Sequence, residues 1–338
     1  MSFKRLDPED ISISAEAVIA PAWTGQVSNL TAFYTSSNQV ASTGQYYYNV
    51  YQAAETVSSS AVQFSLAFGN RKGSGSATIN GQTGKSPSSI IYGQYRTLIN
   101  GDEDTDFTFG TVTPDSVYAI AVNRSRYKEK LQPGTFNLTL TSGSNTIHLT
   151  DNSNSVTTVS YVDAGRVYDI ITGSNGVPHT TGVSSVGHTF NSGSYGKYLP
   201  DVGVVILNGE ALKAPFASGG LDFTIDETDN SLASTNLREM FTVINSGSSF
   251  ELQSQETISS NYVFVRVRNS EFNYSTNPSN ITGSGELRYD IMVNTPQSYI
   301  TTVGLYNDNN DLLAVAKLSK ALLKDFTKEA LVRIKLDY

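Results

Sequence analysis

Residues 261–290 read NYVFVRVRNSEFNYSTNPSNITGSGELRYD, and residues 299–338 read YITTVGLYNDNNDLLAVAKLSKALLKDFTKEALVRIKLDY. Val263, Val265 and Val267 alternate with Phe264, Arg266 and Arg268, the period of two that puts successive side chains on opposite faces of a strand. Asn273-Tyr274-Ser275 and Asn277-Pro278-Ser279 predict turns, because Pro278 pushes Asn277 out of the helical region. Tyr299 to Leu305 and Leu312 to Leu318 predict a hairpin around Asn307-Asp308-Asn309-Asn310-Asp311. The spacing then predicts a short basic helix from Leu318 to Phe326. Ala330, Val332, Ile334 and Leu336 predict a closing strand whose other face carries Arg333, Lys335 and Asp337.

The composition extends this β reading to the whole chain. Only 16% of the 338 residues are charged, while 19 Tyr, 15 Phe and abundant Ser, Thr, Asn and Gly favour strands and polar turns. The expected fold is mainly β, with antiparallel sheets or sandwiches, a few short helices and long polar loops. The expected segments are an arm at 1–20, a β-rich domain with two short helices at 21–160, a β-rich segment with a long loop and one amphipathic helix at 161–255, and a β module with a short helix at 256–338. A net charge of -8 lacks the basic surplus that neutralises phosphates, so no nucleic-acid partner is expected. The chain has no cysteine, which removes disulfides, thiol nucleophiles and thiolate metal sites. No stretch approaches the ~18 apolar residues of a membrane span, and residues 1–23 show no export signal.

Along the chain, Asp7-Pro8-Glu9-Asp10 breaks regular structure before the alternation of Ile11, Ile13 and Ala15. Such an arm either frays or adds a strand to the sheet edge of a neighbouring molecule. Strands are expected between Leu30 and Phe68, followed by a flexible loop at 69–76. Gly84-Lys85-Ser86 ends like a phosphate-binding loop but has Ile79 where the first glycine belongs, and Gly73-Ser74-Gly75 has Thr78 where a dinucleotide fingerprint needs glycine. Ser86 and Pro87 instead predict a helix to about Leu98, with Ile91, Tyr95 and Leu98 on one face. A strand at 116–122, alternation from 135 to 171, a long polar loop at 173–196 and a buried strand at 199–207 follow. The clearest helix places Leu237, Met240, Phe241 and Ile244 on one face, with Ser234 or Thr235 as cap and Ser246-Gly247 as stop.

Two charged turns are the candidate functional features. Asp102, Glu103, Asp104 and Asp106 form the densest run of carboxylates, without the glycine and terminal glutamate of a calcium-binding EF-hand loop. Arg124, Arg126, Lys128 and Lys130 lie on one or two expected helical turns capped by Asn123 and stopped by Pro133-Gly134. Opposite charges on two edges would set register between subunits, so these eight residues are the candidate inter-subunit contacts. Ser125 and Lys128 match a Ser-x-x-Lys spacing, but no partner motif accompanies it. His148, His179 and His188 have no further ligands at metal-site spacing. No catalytic residue, cofactor or metal is expected.

The strings VRVRNSEFNYSTNPS, YITTVGLYNDNNDLLAVAKLSKAL and KDFTKEALVRIKLDY resemble the C-terminal module of virion structural proteins from contractile-tailed phages, especially those infecting cyanobacteria. The resemblance continues through IYGQYRTLINGDEDTDFTFG, RYKEKLQPGTFNLTL and GSYGKYLPDVGVVILN. It implies a non-enzymatic part of the particle, made in the host cytoplasm and assembled into the tail or baseplate. The implied partners are other tail or baseplate proteins and further copies in a symmetric assembly. A host-surface or glycan-binding module of the same particle is the alternative.

Overall fold

A computed structural model describes residues 3–35, 46–82, 85–179, 195–228 and 233–337. Among them strand accounts for 43% and helix for 16%, so the protein is mainly β, as its composition predicts. The strands begin with β1 (Ile11–Pro21), β2 (Asn29–Leu30), β3 (Tyr34–Thr35), β4 (Tyr47–Tyr51) and β5 (Val62–Asn70). Helix α1 (Pro87–Asn100) leads to β6 (Ser116–Val122), β7 (Lys130–Leu131), β8 (Asn137–Ser142), β9 (Asn145–Asp151), β10 (Ser160–Val162), β11 (Gly165–Ser174) and β12 (Val177–Pro178). Then come β13 (Gly196–Leu199), β14 (Val204–Asn208), α2 (Gly209–Lys213), α3 (Ala233–Gly247), β15 (Phe250–Glu251) and β16 (Gln253–Val267). The chain closes with α4 (Asp290–Asn294), β17 (Gln297–Tyr306), β18 (Leu312–Asp325) and β19 (Ala330–Asp337).

The chain divides into two units, one of residues 18–256 and one of residues 1–17 with 257–338. The larger unit is organised by a curled antiparallel sheet in the order β2-β15-β8-β9-β11-β13-β14-β6-β5-β4-β3. Segments 21–160 and 161–255 therefore share one sheet, since β9 pairs with β11 and β6 with β14. Its central strands are buried on both faces, and the period of two sorts their side chains. Phe64, Leu66, Phe68, Tyr118, Ile120, Val205 and Leu207 enter the larger core with Leu237, Met240 and Ile244 of α3. Ala67, Val117, Ala119, Val204 and Ile206 enter a second core with Ile91, Tyr92, Tyr95 and Ile99 of α1. Each helix thus covers one face of the sheet.

Helix α1 starts as its sequence predicts: Ser86 Oγ accepts from Ser89 N, Pro87 takes the first helical position, and Gly101 closes the helix in the left-handed conformation. Its buried face runs through Ile91, Tyr95 and Ile99, while Leu98 is exposed. A step of i, i+4, i+8 replaces the expected i, i+4, i+7. Helix α3 buries Leu237, Met240 and Ile244 as expected and half-buries Phe241. It begins at Ala233, so Ser234 and Thr235 lie inside it and neither is the cap.

Three expectations in this unit are corrected. The stretch 199–207 is a hairpin rather than one strand: Leu199 pairs with Val204, and the chain turns at 200–203. Pro200 lacks a donor for the ladder, Gly203 has φ 68°, and the Asp201 carboxylate ties the turn to Arg166. The loop at 69–76 is anchored, because Asn70 Oδ1 accepts from Lys72 N and Ser74 N while buried Ser76 donates to Ser88 Oγ at 3.0 Å. At 124–126 a single 3-10 turn replaces the expected helix, with Asn123 capping it as predicted. Most of the long loop 173–196 lies outside the described residues; β11 and β12 take its first part.

In the smaller unit β16 runs between β1 and β19. Tyr262↔Lys335, Val263↔Ile334 and Val265↔Val332 continue an unbroken antiparallel register from Ser260↔Asp337 to Val267↔Ala330. In the arm, residues 8–10 make one 3-10 turn, and β1 joins the sheet of its own chain. Lys4 bonds Arg266 O and Glu271, and Phe3 meets Tyr306 edge-on with centroids 5.3 Å apart.

The predicted helix at 318–326 is absent, since β18 extends through Asp325. Ile300 pairs with Leu322 and Thr302 with Lys317, so four residues of β18, 318–321, lie opposite Thr301 alone. This wide bulge inserts extra residues into the strand. The spacing of Leu318 and Leu322 that resembles one helical turn is the length of the bulge.

Candidate functional site

The acidic turn is held largely by its own chain. Asp102 Oδ1 accepts from Asp104 N at 2.9 Å and Thr105 N at 2.5 Å. The bond from the Thr105 backbone is the main reason its carboxyl is held below the usual aspartate range. Asp106 pairs with Arg71 at 2.8 Å and Arg96 at 3.5 Å, and accepts from Tyr92 Oη at 3.3 Å. Arg71 also pairs with Asp115, and the bond to Asp106 is the largest influence raising its pKa. Glu103 and Asp104 have exposed side chains at the tip of the turn.

The basic turn is tied in the same manner. Arg124 donates to Tyr127 O at 2.6 Å and to Lys128 O, and its guanidinium lies 4.5 Å from the centre of the Tyr127 ring. Arg126 donates to Thr24 Oγ1 and Ser125 Oγ. Lys128 pairs with Glu256 at 2.8 Å and Lys130 with Glu129 at 3.1 Å. Intramolecular partners engage Asp106, Arg124 and Arg126 in particular, while Glu103 and Asp104 are exposed and Lys128 is largely exposed although it pairs with Glu256.

The histidine rings of His148 and His179 have centroids 6.3 Å apart with their planes tilted by 57°, and His148 Nδ1 lies 3.1 Å from Thr139 Oγ1. His188 lies outside the described residues. Among the described residues no group of three or more His, Cys, Asp or Glu side chains is placed to hold a metal ion. No helix among them is long and apolar enough to cross a membrane.

Sequence spacing missed two buried polar centres. Asp151 is fully buried, and both carboxylate oxygens accept from Gly134 N at 3.0 Å while Oδ1 also accepts from Ser153 N. Burial is the leading influence and pushes its carboxyl up, against the opposing pull of these bonds. Lys324 is equally sealed, in the smaller unit, with its ammonium among three acceptors. Neither residue stands out in the linear pattern, because their partners lie at distant positions.

The smaller unit has a different surface from the larger one. Among the described residues its core cluster has three buried apolar side chains, Val263, Val332 and Ile334. Among the described residues, more than half of the exposed large apolar side chains belong to this unit, which holds less than a third of the chain. Ile13 is 74% exposed, Leu313 68% and Leu331 66% on strands, and Ile291 72% on α4, so apolar residues of this unit face outward. The chain matches no family model, no curated protein and no solved structure.

Proposed function

We propose that this chain is a structural component of a phage virion, in the contractile tail or baseplate, that works by static protein–protein association. The observation that carries the reading is the smaller unit's sparse core beside strongly exposed Ile13, Ile291, Leu313 and Leu331. A unit with so little internal burial gains stability when neighbouring proteins cover its strands. The long antiparallel sheets provide rigid surfaces for such contacts, and the resemblance to tail and baseplate proteins names the setting. The partners are other tail or baseplate proteins, with Glu103, Asp104 and Lys128 as polar contacts that fix orientation. Mass spectrometry of purified virions tests the proposal: the chain should be present in a fixed ratio to the tail proteins, and its absence would remove the reading.

A second reading rests on exposed aromatics. Phe272, Tyr274, Tyr289, Tyr299 and Phe326 all expose their side chains in the smaller unit, and aromatic faces can stack on sugar rings. In this alternative the chain binds host-surface glycan within the same particle. Binding of host polysaccharide by the wild type, lost in Tyr274→Ala and Tyr299→Ala, would favour it; no binding at all would dismiss it.

A further inference from the structure

Strand β17, with the sequence QSYITTVGLY, contains no charged residue and no proline. It belongs to a two-stranded sheet with β18, so among the described residues its second edge carries no strand partner. Proteins usually blunt such edges with charge, proline or bulges, because unpaired N–H and C=O groups invite another strand. The neighbouring edges carry these features. β18 has Lys317, Lys320 and the four-residue bulge, β19 has Arg333, Lys335 and Asp337, and β1 has Glu16. β17 is the unguarded edge of this unit.

We infer that β17 pairs antiparallel with β17 of a second copy of this chain about a two-fold axis, extending the hairpin to a four-stranded sheet. The inference rests on the reading of association as the chain's work and names the partner and the surface. An uncharged edge meets its own copy without placing like charges opposite one another. Centring the register on Thr301 sets Thr301 against itself, Ile300 against Thr302 and Tyr299 against Val303. Thr–Thr and aromatic–β-branched pairs are favourable across antiparallel strands. A two-stranded hairpin is marginal by itself, and the added strands supply partners for the open edge.

The 338-residue chain provides a clean test because it contains no native cysteine. Opposed residues in an antiparallel pair have Cα atoms roughly 4.5–5.5 Å apart, a separation that a disulfide spans. In light scattering the wild type should have twice the 36.5 kDa mass of one chain, and Thr301→Cys should oxidise to a covalent dimer. Thr301 is exposed, so Thr301→Lys and Thr301→Glu should each keep the wild-type circular dichroism and become monomeric, and mixing the two should restore the dimer. A monomeric wild type, a Thr301→Lys variant that remains dimeric, or a cysteine variant that does not cross-link overturns the self-pairing. A monomeric wild type present in virions overturns only this inference, whereas a dimer absent from virions supports it and removes the assembly reading.

Discussion

Lys324 Nζ donates to Asn273 Oδ1 at 2.6 Å in a site closed to solvent, with the lysine 0% and the asparagine 2% exposed. The same ammonium donates to Asn269 O at 3.0 Å and Asp325 O at 2.9 Å, and Asn273 Nδ2 donates to Asn269 O at 2.7 Å. All three ammonium protons have acceptors, as burial of a charge requires. The lysine clamps the turn at 269–273 to the end of β18. Lys324→Met strands several buried acceptors and should lower stability by about 3 kcal/mol, with hydrogen exchange rising first at 269–273. A loss below about 1 kcal/mol would show that other contacts hold the turn.

Acid should weaken the larger unit through its paired aspartates. Burial opposes ionisation of Asp201 and Asp115, but Arg166 overcomes it at the first, as Lys72 and Arg71 do at the second, so both carboxyls titrate below the usual aspartate value. A depressed folded-state pKa contributes stability above the unfolded value and loses it as pH falls through the folded one. Asp201→Asn should therefore flatten the fall in melting temperature below the ordinary aspartate range. Asp151 has the opposite sign, because burial raises its pKa. Its ionisation costs stability as pH rises through the folded value, so Asp151→Asn should compare least favourably with the wild type at low pH. Parallel melting curves across the acid range would refute this assignment.

Gly75 has φ +78°, and a Cβ built there would lie 2.6 Å from the Phe68 ring and 2.8 Å from Asp226 O. Gly75→Ala must combine an unfavourable backbone with contacts that cannot all yield, at a cost of about 2 kcal/mol or more. Denaturant unfolding measures the loss, and an unchanged midpoint would mean that the loop relocates freely.

Removing residues 330–338 deletes β19 and, with Val332 and Ile334, two of the three buried side chains described for the smaller unit's core cluster. That unit should unfold, with amide protection lost across 257–267, while the larger unit retains its exchange protection. A truncated chain with a fully protected β16 would make the terminal strand an accessory.

The sequence displays local order more clearly than distant partnership. Ser86 and Pro87 announce α1, the acidic turn at 307–311 announces the β17–β18 hairpin, and Ala330 to Leu336 announce β19 because each signal is complete within a few residues. Period alone misreads 318–326, where a bulge opposite Thr301 reproduces helical spacing. It also misses the turn inside 199–207, which Arg166 stabilises through Asp201 from 35 positions away. The charged turns are visible as compositions, but Arg71 and Glu256, which engage them, are remote in sequence. Lys324 likewise looked like one member of a basic helix until its acceptors came together across the fold.

Cryo-electron microscopy of the purified virion tests the assembly role most directly. The account predicts density for this chain at a fixed copy number in the tail or baseplate, with neighbouring proteins covering Ile13, Ile291, Leu313 and Leu331. A complete particle reconstruction in which the chain has no place would contradict it.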